Sequence, residues 1–325
     1  MGEGNTRRVG YGRRINRRKQ RSRKKIRNRM CGIVSFGGLL IVFVIFIMSI
    51  TKQSASQEDS TGMEAIERKE AVEYLPQKSE DRIAPVTLQI GRPVSRSEDE
   101  VLERIRELSE ISDEIKEIYE EYSRYPPEML AALANNPEMA DFVLGYLEEE
   151  AVKTEGGSFT KQEKEEAYPL FLQWDKRWGY HEYGNSNVGL CGCGPTCLSM
   201  VVYYLTRNEN YTPDYIADYS MQNGYYVDGS GTSWELMLEY PQKCGLRVEQ
   251  PALMENKLMT LLDNGHIIIC AMGRGDFTSA GHFIVIYGYD ETGFLVNDPN
   301  CIARSQRTWS FDELKWQIRS IWAYR

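Results

Sequence analysis

Ile33 to Ile50 is a run of 18 residues without a charge, and no other stretch of the chain is as apolar. As a helix rising ~1.5 Å per residue it covers roughly 27 Å, close to the hydrocarbon core of a bilayer. Its β-branched and aromatic residues are poor helix formers in water, but in lipid an unpaired backbone costs far more. The 30 residues before it hold 13 Lys or Arg and one acid, Glu3, a charge of +12. The whole chain carries −8, so the other 295 residues carry −20. By the positive-inside rule the basic arm (1–30) is expected in the cytoplasm and residues 31–50 in the lipid bilayer of the cell membrane, with the acidic body outside the cell. A cleaved signal peptide is the competing reading, but so long a basic region is unusual for one and Ser54-Ala55-Ser56 is a feeble cleavage site. A lipoprotein anchor would need the apolar run before Cys31, and here it follows. The charge split excludes a uniformly basic nucleic-acid binder; beside a span, the arm is expected against anionic headgroups.

Beyond the span, residues 51–97 are rich in Glu, Lys, Ser and Gln without a sustained apolar period, and read as a stalk. An acidic helical segment is expected over 98–153. Its apolar residues Val101, Ile105, Leu108, Ile111, Ile115, Ile118 and Tyr122 recur at steps of three and four, one stripe down a helix that Pro126-Pro127 stops. Asn136-Pro137-Glu138 reads as an N-cap with Pro at the first position of another short helix. The stripe is too short for a long coiled coil, so packing as a helical hairpin, against itself or the next domain, is expected. The segment reads as a spacer or clamp without chemistry of its own. A polar linker, 154–167, leads to 168–325, long enough for an independent core.

In that last part Gly194–Leu205 is a helix-length apolar run, and Thr212-Pro213, Thr232-Ser-Trp-Glu235 and Ser310-Phe-Asp-Glu313 are helix-start signals. Ile267–Met272, Phe283–Tyr289, Phe294–Asn297 and Ser320–Tyr324 read as strands, with Asp290-Glu-Thr-Gly293 a hairpin turn. A helix first and an antiparallel sheet after it predict an α+β domain.

Six cysteines follow the span, at 191, 193, 197, 244, 270 and 301, together with three histidines. Their spacing lacks the even, loop-rich pattern of a disulfide scaffold. The informative cluster is Gly189-Leu-Cys-Gly-Cys-Gly-Pro-Thr-Cys197. Glycines flank Cys193, and Gly194-Pro195 opens the helix. At a helix N-terminus the dipole and unpaired amides favour a thiolate, and the same amides can hold an oxyanion. Cys197 lies one turn deeper and reads as packed. A zinc site would need a second ligand pair, which is missing, so no metal and no cofactor are expected. Three buried or bridged cysteines are the bland alternative.

A cysteine nucleophile needs a base, and the base needs an orienting partner. His282 opens the strand Gly-His-Phe-Ile-Val, whereas His266 and His181 sit in turn or polar loop contexts. Asp298 follows the hairpin strand and precedes Pro299. Ideal register about the 290–293 turn sets Asp298 opposite Val285 rather than beside His282, so a bulge or strand exit is required. Asn297 is the alternative orienter.

Gln173-Trp-Asp-Lys-Arg-Trp-Gly179, Gly192-Cys-Gly-Pro-Thr196, Gly281-His-Phe-Ile-Val285 and Val296-Asn-Asp-Pro299, in that order, resemble the papain-like cysteine peptidases of clan CA. More narrowly they are similar to family thirty-nine, the bacteriocin-leader-peptidase-like proteins, in the stand-alone form of Gram-positive bacteria. The resemblance covers about 168–325, and Tyr125–Leu147 is similar to a helical piece that often precedes such domains. It implies a papain-like fold, Cys193 as nucleophile, His282 as base, Asp298 as orienting acid and Gln173 as oxyanion-hole donor. Two features depart from the leader-processing members: a span that would set the domain outside the cell, and the extra thiol of Cys191, which could bridge or compete. The expectation is a membrane-anchored extracellular cysteine peptidase acting on a peptide or protein, including a cell-wall peptide. A peptidoglycan amidase with the same residues, or a silent peptide-binding surface module, is the alternative.

Overall fold

In the computed structural model, which describes residues 90–149 and 157–325, six α-helices begin at a serine, threonine or asparagine whose side chain caps them. All described residues fall within one compact unit, Lys78–Arg325. The basic arm, the apolar run 33–50 and most of the stalk lie outside the described residues. Among those described, no helix is long and apolar enough to cross a membrane.

Ser97 caps α1 (Glu98–Ser109) through a reciprocal box with Glu100. The stripe expected as a single helix is then broken. Ser112 accepts the amide of Ile115 and starts α2 (Asp113–Glu120), because a serine side chain offers the backbone an alternative to helical bonding. Ile111, at the break, is 65% exposed, and Val101, Ile105, Leu108, Ile115 and Ile118 form the buried seam. The result is the expected hairpin. Pro127 opens α3 (Pro127–Asn135), where a missing N–H costs nothing. Asn136 then caps a single 3₁₀ turn, Pro137–Met139, that runs into α4 (Ala140–Glu149). These helices share an apolar core of their own.

Residues 157–167, read as linker from composition, include a capped helix, α5 (Lys161–Glu165). Arg177 holds it through Glu163, with guanidinium–carboxylate contacts of 2.7 Å, and Phe159 is buried in the main core. The hairpin β1 (Glu182–Tyr183) and β2 (Ser186–Asn187) and the single turn α6 (Val188–Cys191) precede the central helix α7 (Cys193–Thr206). Nearly every residue of α7 is buried, as befits a helix enclosed on all sides. Next come α8 (Pro213–Gln222) and the hairpin β3 (Tyr226–Val227) and β4 (Gly231–Thr232). The cap of α9 (Trp234–Lys243) is Ser233 rather than Thr232, whose hydroxyl is taken by Tyr183 Oη at 2.8 Å.

Strand β5 (Val248–Glu249) and helix α10 (Glu255–Asp263), which the sequence reading missed, lead to β6 (Ile267–Gly273). Then follow β7 (Gly281–Asp290), β8 (Gly293–Asn297), α11 (Ile302–Ser305), β9 (Thr308–Trp309), α12 (Phe311–Lys315) and β10 (Ile318–Tyr324). The sheet is antiparallel in the order β5-β10-β6-β7-β8-β9. Ile267, Ile269, Phe283, Val285, Trp322 and Tyr324 face α7, while Ile268, Cys270, Ile284, Ile286 and Ile321 face α10 and α12. Covering both faces explains why β6 is continuously apolar instead of alternating. The domain mixes helix and sheet as expected from the sequence.

Candidate active site

Cys193 is the first residue of α7, with Gly192 as its N-cap. Thr196 fixes this turn, its amide and hydroxyl both donating to the Gly192 carbonyl at 3.0 and 2.8 Å. Gly194 is required by crowding: a Cβ there would meet the Thr232 side chain at 2.6–2.8 Å. Cys193 is partly exposed and Cys197, one turn deeper, is fully buried. The six cysteines among the described residues are free thiols. Cys191 donates to the carbonyls of Asn187 and Tyr183 at 3.3 and 3.4 Å. Burial, then the charge of Cys193, pushes its thiol up to about 12, with Ser186 opposing. Cys191 is thus a protonated, hydrogen-bonded thiol.

His282 opens β7 at the end of the sheet, and its Nε2 lies 2.7 Å from Asp298 Oδ1. That leaves Nδ1 as the other ring nitrogen, and the Cys193 side chain is also a hydrogen-bond partner of the imidazole. Burial works against the ring's charge, but the Asp298 carboxylate and then Cys193 outweigh it and raise His282 to about 10. Asp298 is fully buried. Burial alone would raise its carboxyl; the charge and hydrogen bond of His282, with Arg304 and the Asn300 amide, hold it below the usual carboxylate range.

The register difficulty is resolved by a β-bulge. Asp290 pairs with Gly293 and Gly288 with Leu295, but Ile286 pairs with Val296 and Val285 with Asn297, so Tyr287 is an extra residue. Pairing shifts by one, and a shift of one exchanges the faces of a strand. Asn297 therefore lies level with Val285. Asp298, one residue on, falls on the face of Ile284 and His282. Asn297 Nδ2 instead donates to Tyr204 Oη at 2.8 Å and to the Tyr168 carbonyl at 3.2 Å. Of the two candidate orienters, the structure brings Asp298 to the ring.

Gln173 is buried, held by the residue after Asp298 and by a carbonyl four residues before Cys193. Its backbone N–H donates to the Pro299 carbonyl at 2.7 Å, and its Nε2 donates to the Gly189 carbonyl at 2.8 Å. A carbonyl can only accept, so the amide nitrogen is the end that faces Gly189. One N–H of that NH₂ group is used there, which leaves the second. Gly189 itself must be glycine, since a Cβ would meet the Phe142 ring of α4 at 2.4 Å.

Four further side chains act on the Asp298 loop without having stood out in the sequence. Arg304 is buried, with Nη1 3.3 Å from Asp298 Oδ2. Trp174 Nε1 donates to the Asn300 carbonyl at 3.0 Å, and Asn136 Nδ2 donates to the same oxygen. Glu138 Oε2 and Oε1 accept the amides of Ile302 and Ala303 at 2.7 and 2.9 Å. Trp174 lies inside the Gln173 motif, but nothing local to Arg304, Asn136 or Glu138 marks them.

The model of the family described as Peptidase_C39 like matches residues 165–325. Among solved structures, the chain is similar to the peptidase domain of ComA from Streptococcus, a bifunctional ABC transporter involved in quorum sensing. That match is 18% identical with a TM-score of 0.35, covering 48% of this chain and 96% of that one. A second similar structure is described as a C39-like peptidase from Bacillus anthracis, at 12% identity and a TM-score of 0.32, covering 49% of this chain and 94% of that one. No curated protein matches the chain. Residues 165–325 of this chain belong to the C39-like peptidase family.

Proposed function

We propose that the chain is a cysteine peptidase, a hydrolase that cleaves peptide amide bonds through Cys193, His282, Asp298 and Gln173. The observation that carries this reading is the 2.7 Å contact between His282 and Asp298, with the Cys193 side chain as a further partner of the same imidazole. The reaction runs through the Cys193 thiolate paired with the His282 imidazolium, the thiol having given its proton to the ring. The thiolate sulfur attacks the substrate carbonyl carbon, and the carbonyl electron pair moves to oxygen. That oxyanion is held by the Cys193 N–H, free at the first turn of α7, and by the second N–H of Gln173 Nε2. As the C–N bond breaks, His282 gives its proton to the leaving amine, so no free amide anion is formed. The thioester is then attacked by water, with the neutral His282 ring taking the proton. Collapse releases the acid and restores the ion pair. Asp298 holds the ring and stabilises its charge, while staying ionised itself.

The charge of the basic arm and the apolar run 33–50 support a single-pass anchor with the peptidase outside the cell. Protease shaving of intact cells should release the C-terminal domain; protection until lysis would overturn that placement. To test the activity, the full chain in detergent is incubated with a denatured-protein library and, separately, with purified peptidoglycan. New peptide N-termini that vanish with Cys193→Ala support the reading and distinguish a protein from a cell-wall substrate. Undiminished cleavage by that variant would refute the assigned nucleophile.

A further inference from the structure

We propose that the Asn136–Glu138 corner of the helical module is a positioning device for the Asp298 loop, and that it sets how firmly Asp298 holds His282. The inference rests on the peptidase reading only for its activity readout.

After Asp298 the chain turns through Pro299 and Asn300 into α11, a single helical turn. So short a helix has little stability of its own, and its first amides have no partner within it. Glu138, more than 160 residues earlier in the chain, supplies both of the missing acceptors, one carboxylate oxygen to each of Ile302 and Ala303. Asn136 is buried and acts in two directions: its Oδ1 accepts the Glu138 amide at 3.2 Å, and its Nδ2 donates to the Asn300 carbonyl. Asn300, held by Asn136, itself holds Asp298, and the turn that Glu138 caps carries two further partners of Asp298, Arg304 and Ser305. The Asn300 amide donates to Asp298 Oδ1 at 2.8 Å, and Arg304 contacts Oδ2 at 3.3 Å. The Asp298 amide donates to Ser305 Oγ, at the end of the same turn, at 2.8 Å. A shift of Asn300 or of α11 would therefore carry Asp298 with it.

A surface contact made for docking alone would have no need of a half-buried carboxylate. Glu138 is such a group: burial pushes its carboxyl up, and the Ala303 and Ile302 amides oppose that. Charge-assisted bonds from a carboxylate to backbone N–H groups are short and strong, which suits a part that must not slip.

The test uses the full chain with Glu138→Ala, Glu138→Gln and Asp298→Asn. With three histidines in the chain, the His282 ring titration can be followed by NMR of histidine-labelled protein, with no substrate present. Glu138→Ala should lower the pH at which His282 titrates and reduce kcat by about 10–100-fold with KM little changed, because a misplaced orienting group weakens the chemical step rather than binding. Glu138→Gln, which retains one acceptor oxygen, should recover part of both and provides the reading if the alanine variant does not fold. In the Asp298→Asn background Glu138→Ala should add no further loss, as expected for two residues acting through one contact. An unmoved His282 titration in a folded Glu138 variant, or equal losses in both backgrounds, would reduce Glu138 to a docking contact and overturn the proposal. If no substrate is ever cleaved, the peptidase reading fails while the titration still decides the positioning role.

Discussion

Helix α7 and the Asp298–Ser305 loop deliver their side chains to one site over very different distances in sequence. Cys193 is placed by its immediate neighbours: Gly192 as cap, Thr196 bonded back to Gly192, and an almost wholly buried helix behind them. Asp298 is placed by partners from three remote stretches: His282, the Gln173-Trp174 pair through Pro299 and Asn300, and the Asn136–Glu138 corner. A nucleophile must be stiff and can be built locally, because a helix N-terminus is a local object. An orienting acid must meet a ring on another strand, so its position is a property of the whole domain. The two sides of the site should therefore fail differently when disturbed.

The largest effect is expected on the local side. Cys193→Ala should abolish hydrolysis, a loss of about 10³-fold or more, with an unchanged circular dichroism spectrum, since the side chain is only partly enclosed. Cys191→Ala should leave turnover within about threefold. Brief iodoacetamide treatment near pH ~6 should label Cys193 ahead of Cys191, whose thiol, pushed up to about 12, supplies almost no thiolate there. The assignment breaks if Cys191→Ala is the inactive variant.

On the distributed side, Asp298→Asn should lower kcat by about 10²–10⁴-fold, by analogy with the loss of the orienting acid in other triads. Its diagnostic is the alkaline limb of the pH–rate profile. His282 is raised to about 10 chiefly by the Asp298 charge, which overcomes burial, so the active protonated ring persists well above neutrality. Neutralising Asp298 should move that limb to lower pH. A slow variant with an unmoved limb would mean that Asp298 is not the group that holds the ring's proton.

How far the sequence discloses this site follows the same division. Cys193, Gln173 and His282 sit in short motifs whose chemistry is local, and the structure brings all three together with Asp298. The choice between Asp298 and Asn297 was not legible, because it turns on one extra residue, Tyr287, well before either in the chain. A bulge leaves no mark in a run as uniformly β-prone as Phe283–Tyr289. Arg304 and Glu138 were invisible for another reason: each reads as an ordinary surface polar residue until a contact across the fold engages it, and Asn136 reads only as a helix cap. The fold shows the same pattern. Strands buried on both faces and the helix opened by Ser310 were plain, whereas α10 and α5, polar on much of their surface, were not. The break after Ser109 was missed because the apolar spacing continues through it while the chain reverses.

The ion pair of His282 also links stability to pH, with a smaller effect. Its folded value lies above the ordinary 6.5, so its contribution is complete below about 6.5 and is lost as pH rises through about 10. Denaturant midpoints of the parent should fall between those limits more steeply than those of His282→Ala. Asp298, held low, acts in the opposite sense: its contribution is present above the ordinary carboxylate value and disappears as acid protonates it. Identical slopes in parent and variant would show that the buried pair is not linked to folding.

The smallest effect is expected at another contact between the helical module and the peptidase domain. Lys176 Nζ meets Asp141 Oδ1 at 2.8 Å, a better distance than Arg304 makes to Asp298. Yet the two side chains are 41% and 79% exposed, so water screens the attraction and each must give up side-chain freedom to make it. Lys176→Met should change stability by at most about 0.5 kcal/mol and leave kcat and the His282 titration unaltered. Glu138, with no partner cation among the described residues but two backbone amides, should matter far more. If Lys176→Met perturbed the site as strongly as Glu138→Ala, the module would act through overall attachment, and the distinction between a docking contact and a positioning contact would collapse.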